Sequence, residues 1–460
     1  MSEREGADTQ VRFRSGTTSD KRGMSIRHLP VQRTGFAFLG QVLGACLVLS
    51  GSALAQPLSL QQTLEAASAN WEVALSKRNL QAAQADVIAA NRAPLPVLTA
   101  KTAQIDLQHG IGSGGLWRDK RVDKSIGMDW TWERGDKRQL RTQSSESMVT
   151  ASQRDLQDTL TQQHLNALTL YFDWMAQQER LRATQSIADS AAELARSAVL
   201  REKAGDLSAQ DTARIQIEAH RANAEVRSAQ LGLETAALAL AQVTRLPGNP
   251  LSWQAAQSWP TLLSPETATG LPSQIEAWVE QRPAVLAAQA RVTAAQASLS
   301  LAQSQKKSDI TWGGSADHFP GTSNRLLELR MQVPLQWGYG YEGEIARAEA
   351  LYQQAQEWLE KTRLGARTEL LTLLQAWHSA TARAKGYDQN ILPQAARVAA
   401  QAELAYHKGA LSLTDLLDAR RTLKATQLEA LDARNEHART WGALLLLTRP
   451  MNETALVLSQ

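Results

Sequence analysis

Residues 203–211 read KAGDLSAQD, and residues 407–415 read HKGALSLTD. A shift of 204 residues lays Gly205 on Gly409, Leu207 on Leu411, Ser208 on Ser412 and Asp211 on Asp415. The register continues without a gap. Glu225 meets Glu429, Ala229 meets Ala433, Leu240 meets Leu444, and Thr244-Arg245 meets Thr448-Arg449, for ten identities over residues 203–246. Glycine just past a helix relieves the left-handed strain of a tight reversal, so Gly205 and Gly409 mark two equivalent helix turns. The chain therefore reads as an internal two-fold repeat. Near a shift of 212, Ala82-Ala83-Gln84-Ala85 meets Ala294-Ala295-Gln296-Ala297, which extends the repeat toward the start of each half.

No proline occurs between Val97 and Leu246, and residues 139–200 are rich in Ala, Gln, Leu, Arg and Glu. Such residues favour helix. A helix of that length runs roughly 90 Å at ~1.5 Å per residue. A rod this long does not bury itself in a globule and needs coiled-coil partners or a tunnel wall. Helices are expected over about 59–92, 139–203, 207–246, 273–306, 343–406 and 411–448. Residues 247–272 carry repeated prolines and read as a connector.

The inserts between helices change period. Ala103, Ile105 and Leu107 alternate with Gln104, Asp106 and Gln108, and Ile126, Met128, Trp130 and Trp132 alternate with Ser125, Gly127, Asp129 and Thr131. The second half has Asp309–Asp317, a turn at Phe319-Pro320-Gly321, and Arg325–Trp337, in which Leu327, Leu329, Met331, Val333 and Leu335 alternate with polar residues and Pro334. Period two means strands with one apolar face. Each half thus carries a hairpin, at about 97–134 and 309–337, with a Gly-rich charged loop over Gly112–Lys124. Four strands do not close a barrel around a pore; about eight are needed, so several chains must pool their hairpins. A small soluble sheet with one buried face has the same pattern.

The 460 residues carry a formal net charge of +3, too little to point to nucleic acid. A single cysteine, Cys46, rules out an intrachain disulfide, and the eight histidines show no i,i+4 or His-x-His spacing for a preformed metal site. No nucleophile elbow, phosphate loop or HExxH occurs, so neither an enzyme nor a cofactor is indicated. Arg27 and Arg33 precede an apolar run from Phe36 to Leu49 and then Ala53-Leu54-Ala55. This is the layout of a secretory signal peptide with cleavage before Gln56. Met24 fits as a start codon. Leu43-Gly44-Ala45-Cys46 also resembles a lipobox, which would lipidate Cys46 instead. Neither the apolar run nor any later stretch reaches the ~20 residues of a membrane helix. A β-barrel remains a route across the membrane.

The signal, the duplicated helix–hairpin–helix–helix plan and the turns together resemble the TolC family of outer-membrane efflux channels, over about residues 58–450. Trp132-Glu133-Arg134-Gly135-Asp136-Lys137-Arg138 looks like the family's exit from the first hairpin. Val333-Pro334-Leu335 with Gly343-Glu344-Ile345-Ala346-Arg347-Ala348 looks like its exit from the second. Tyr406-His407-Lys408-Gly409 with Thr414-Asp415-Leu416-Leu417-Asp418-Ala419 looks like its second turn. The hairpin exits are most similar to the CzcC-type heavy-metal efflux subgroup. Departures are Asp136 where the family has a second glycine, and residues 336–344 in place of the usual exit loop.

The resemblance implies a mainly α fold with a long α-helical coiled-coil barrel and four strands per chain in a 12-stranded trimeric β-barrel. It divides the chain into 1–55 (signal and extension), 56–246 (first repeat), 247–272 (connector), 273–450 (second repeat) and 451–460 (tail). It implies a homotrimer in outer-membrane lipid, exporting small substrates, with a periplasmic adaptor and an inner-membrane pump of RND type as partners. The cargo is heavy-metal cations, drugs or a type I polypeptide. Asp415 and Asp418, three apart on one helix face just past Gly409, would form the periplasmic gate; otherwise they are a solvated surface. The first half has Arg214 where the second has Asp418. Leu411 stands where some members carry an arginine, so the resemblance does not carry over a salt-bridge latch at that position. Trp130, Trp132, Trp312 and Trp337 are either membrane-interface girdles or core residues. A periplasmic coiled-coil adaptor is the rival plan; it would lack the duplication.

Mass spectrometry of the mature chain checks the processing site. A first residue of Gln56 is expected; a lipid-modified Cys46 at the start contradicts it.

Overall fold

The computed structural model describes residues 56–105, 108, 113, 122–262, 271–320 and 323–449. Cys46, the signal segment, most of the 112–124 loop, Gly321 and the 451–460 tail lie outside the described residues. The first described strand, β1 (Gln56–Leu58), begins at the expected cleavage point. It is followed by α1 (Leu60–Ala67), α2 (Trp71–Ala90), β2 (Val97–Ala103) and β3 (Asp123–Trp132). The long helices of the first half are α3 (Lys137–Lys203) and α4 (Ala209–Thr244). The connector holds β4 (Trp253–Ala255), parallel to β1. The second half repeats the plan with α5 (Leu271–Gln281), α6 (Pro283–Ser304), β5 (Ile310–Phe319), β6 (Ser323–Gln332), α7 (Glu342–Gly386), α8 (Leu392–His407) and α9 (Leu413–Thr448).

The 67 residues of α3 give a rod of about 100 Å. Its last turn carries Arg201 and Lys203, which complement the negative end of the helix dipole. Three expected helices are broken. The first splits at Asn70, whose side chain caps α2 by accepting from the Glu72 N–H. The helix at 273–306 splits at Arg282 because Pro283 starts a new first turn. The helix at 343–406 passes through a π turn at Tyr387–Ile391, just before Pro393. Asp388 there accepts from Arg434, and Tyr387 bonds Glu429, so α9 holds the π turn in place.

One core joins the halves. Leu60, Leu64, Leu168, Tyr171, Trp174, Leu240, Leu370, Trp377 and Leu445 are all buried in it. Trp377 stacks on Trp441 with centroids 4.9 Å apart. The Tyr171 hydroxyl donates to the Leu58 carbonyl, and Gln178 bonds the Trp253 carbonyl and the Ala255 N–H, so β1 and β4 are tied to α3. His437 is buried in α9, and burial pushes its imidazole down to about 4, so it stays neutral.

The two hairpins are not separate. They form one antiparallel sheet in the order β2-β3-β5-β6. Strand β2 ends at Ala103 because Gln104 turns left-handed, and β6 ends at Gln332, so Val333 and Leu335 lie beyond it. The alternation expected through residue 108 and through Trp337 is therefore cut short at both edges.

Polar contacts below the sheet fix it to the helices. Gly135 (φ +77°) and Asp136 (φ +59°) make the reversal into α3. An added Cβ at Gly135 would meet the Lys307 side chain at 2.9 Å. Aspartate tolerates the left-handed region, which is how Asp136 replaces the expected glycine. Lys137 is buried and donates to the Lys307 carbonyl and to Asp309, both at 2.8 Å, linking the first hairpin's exit to the second's entry. Arg141 binds Glu133 and donates to the Ala90 and Arg92 carbonyls, closing the end of α2.

Replacing Lys137 with Met leaves the Asp309 carboxylate partly buried without its cation. The expected loss is about 2 kcal/mol, below the value for a fully buried pair because Asp309 keeps some solvent. The thermal midpoint followed by circular dichroism should fall, while Lys307→Met, which keeps the backbone carbonyl, should leave it near wild type.

Candidate functional site: a two-faced sheet and a double helix turn

The sheet register separates its faces. Ile126 pairs with Ala316 and Ala316 with Leu327; Met128 pairs with Gly314 and Gly314 with Leu329; Trp130 pairs with Trp312 and Trp312 with Met331. These residues share one face, and Leu327 and Leu329 are 78% and 82% exposed on it. A contiguous exposed apolar face of this size marks contact with lipid or protein. Ten residues of β3 span roughly 33 Å at ~3.3 Å each, or about 25 Å along the normal at barrel tilt, enough for the hydrocarbon layer. Trp130, Trp132 and Trp312 sit at the helix-side end of this face, more than half exposed, and Trp337 is exposed beyond β6. None of the four is a core residue.

The opposite face carries Thr99, Lys101, Asp123, Ser125, Asp129, Thr131, Thr311, Ser315, Asp317, Glu328, Arg330 and Gln332. Its charged members are four carboxylates and two cations. The Arg330 guanidinium donates to Asp129, and the Thr99 hydroxyl donates to the other Asp129 oxygen at 3.0 Å. Outer strands β2 and β6 thereby connect through β3. Neither β2 nor β6 has a partner on its outer side among the described residues. Their outer edges carry N–H and C=O groups without a strand partner among the described residues.

At the far end of the helices the two repeat turns lie together. Gly205 (φ +85°) and Gly409 (φ +72°) both adopt the left-handed conformation that their sequence context predicts. Asp206 N–H donates to the Arg201 carbonyl, and Ala410 N–H to the Ala405 carbonyl, which closes each turn in the same way. Ala198, Ile215, Ala402, Tyr406, Leu413 and Leu416 form a small core between them, with Leu207 and Leu411 packed on it. Leu411 thus contributes packing. Arg201 lies over the Tyr406 ring, 5.5 Å from its centroid. Further along, Glu218 and Glu225 of α4 pair with Arg421 and Lys424 of α9.

The aspartates differ in their duties. Ser412 accepts from the Asp415 N–H and donates to its carboxylate at 2.7 Å; Ser208 and Asp211 repeat this at 2.8 Å. Asp415 is therefore the acid of a serine-x-x-acid motif whose serine caps the helix and whose hydroxyl holds the carboxylate, a signal present in both halves. Arg214 lies 3.9 Å from Asp211 and offsets its charge. Asp418, at the matching place in the second half, is exposed and adds a second negative charge to that turn. Among the described residues no group of three or more His, Cys, Asp or Glu is arranged to hold a metal, and no helix is long and apolar enough to cross a membrane.

Comparison with known proteins agrees with this arrangement. Residues 275–448 match the family described as "Outer membrane efflux protein". The cobalt-zinc-cadmium resistance protein CzcC of Cupriavidus metallidurans is 25% identical over 370 residues, 80% of this chain and 84% of that one. The crystal structure of CusC superposes with a TM-score of 0.72 at 15% identity, covering 86% of this chain and 93% of that one. The outer membrane protein VceC of Vibrio cholerae superposes with a TM-score of 0.69 at 18% identity, covering 84% and 95%. Residues 275–448 thus carry the outer membrane efflux family's pattern, and the two-fold repeat, the strands with an exposed apolar face and the long helices give the whole chain the fold of CusC and VceC.

Proposed function

We propose that three chains pool their sheets into a twelve-stranded barrel whose apolar face meets lipid and whose charged face lines the lumen. The single observation that carries this is the four-stranded sheet with one exposed apolar face and two open edges. In hydrocarbon every backbone group needs a partner, so the edges must close on other copies. The Trp130, Trp132 and Trp312 end of the sheet is the interfacial girdle on the helix side, joined by Trp337. Below it the helices continue as a periplasmic tunnel that receives cargo from an adaptor and an inner-membrane pump of RND type.

Heavy-metal cations are the proposed cargo. The cobalt-zinc-cadmium relative supports this, as does the excess of carboxylates on the lumen face. The absence of a described metal cluster is compatible with a duct, in which selectivity by charge needs no tight site. The gate lies at the second turn. Asp415 is held by its cap, and Asp418 supplies the charge that the first turn lacks. Three copies bring six carboxylates toward the axis, a field that favours cations.

In planar bilayers, Asp418→Asn should lower the cation-over-anion permeability ratio of the purified channel. Asp211→Asn should leave that ratio unchanged. An unaltered ratio in Asp418→Asn sinks the gate assignment.

A further inference from the structure

The charged face of the sheet holds an arrangement that neither the family plan nor the gate uses. Arg330 on β6 reaches Asp129 on β3 by crossing strand β5 at Gly313. An added Cβ at Gly313 would lie 2.1 Å from the Asp129 carboxylate and 3.1 Å from the Arg330 guanidinium. The ion pair therefore lies flat on backbone that only glycine provides. Thr99 anchors the second Asp129 oxygen from β2, and Glu328 stands 3.4 Å from Arg330. Among the described strand residues Arg330 is one of two cations on this face; the other is Lys101. With Arg330 neutralised by Asp129, Asp123, Asp317 and Glu328 outweigh Lys101.

We propose that Asp129 is a specificity-determining residue of the duct: by clamping Arg330 flat across Gly313 it keeps the outer lumen wall anionic and open to cations. This rests on the barrel reading above, which makes the charged face the lumen. Without the clamp, a long guanidinium swings into the passage while its charge is no longer cancelled. Three copies would then place a ring of free arginines in the cation path. Coulomb repulsion in a water-filled lumen is modest per charge but acts on every passing ion.

The test reads the local potential, independent of the periplasmic tip. Gln332→Cys, on the lumen face beside Arg330, is introduced with Cys46→Ser, and the assembled protein is placed in proteoliposomes. Modification rates by a cationic and an anionic methanethiosulfonate are compared. Asp129→Asn should lower the cationic-to-anionic rate ratio about threefold, the effect of one added charge at close range in salt water. Asp129→Asn with Arg330→Gln should restore it. Gly313→Ala leaves the net charge alone and should lower the ratio in the same direction, because the new methyl takes the place of the Asp129 carboxylate oxygen and so parts it from Arg330. Gly314→Ala, on the apolar face with room for a methyl, should do nothing. A labelled thiol whose ratio stays at the parent value in either Asp129→Asn or Gly313→Ala overturns the clamp. A thiol that neither reagent reaches overturns the barrel reading and the clamp with it.

Discussion

The open edges of the four-stranded sheet govern the rest of the molecule. Strands β2 and β6 each present a row of backbone donors and acceptors with no partner within the described chain. On a soluble protein water would satisfy them. Beside an apolar face fit for lipid, water is absent, and each unmet group costs several kcal/mol. Copies of the same chain offer the complementary edges. On the proposed barrel, that constraint accounts for the closure, the enclosed lumen and the separation of apolar and charged residues onto opposite faces.

The repeat supplies the sheet economically. Each half contributes two strands and a pair of long helices, and the shared core around Trp174, Trp377 and Leu445 locks the halves into one unit. The Lys137–Asp309 pair does the same work at the sheet-to-helix junction, and the Ile215–Tyr406 cluster at the distal turns. The halves differ where function concentrates. Only the second half has a π turn in its long helix, and only its distal turn carries a second acid, Asp418, where the first has Arg214.

Much of this was legible in the residues. Gly205 and Gly409 marked both turns because left-handed closure has a strong local signature. The alternation over residues 125–132 and 327–331 named the apolar face of the sheet, which is exposed. What was hidden depends on distant partners. The pairing of β3 with β5 joins residues about 180 apart, which local periodicity does not report. The breaks at Asn70 and the π turn reflect caps and ion pairs contributed by the fold. The serine-x-x-aspartate pattern at residues 412–415 was readable, and it gives Asp415 a hydrogen bond from the serine that caps the helix. The Asp129–Arg330 clamp was unreadable, since it spans three strands and depends on a glycine that looks like any other in the sequence.

The central claim is that the sheet closes on copies of itself. Cysteine pairs placed along β2, from Val97 to Ala103, and β6, from Ser323 to Gln332, test it by oxidation in outer-membrane fractions. Closure predicts disulfide-linked dimers and trimers for pairs in register, reducible to the single chain. Single chains alone, for every pair along both strands, would contradict it.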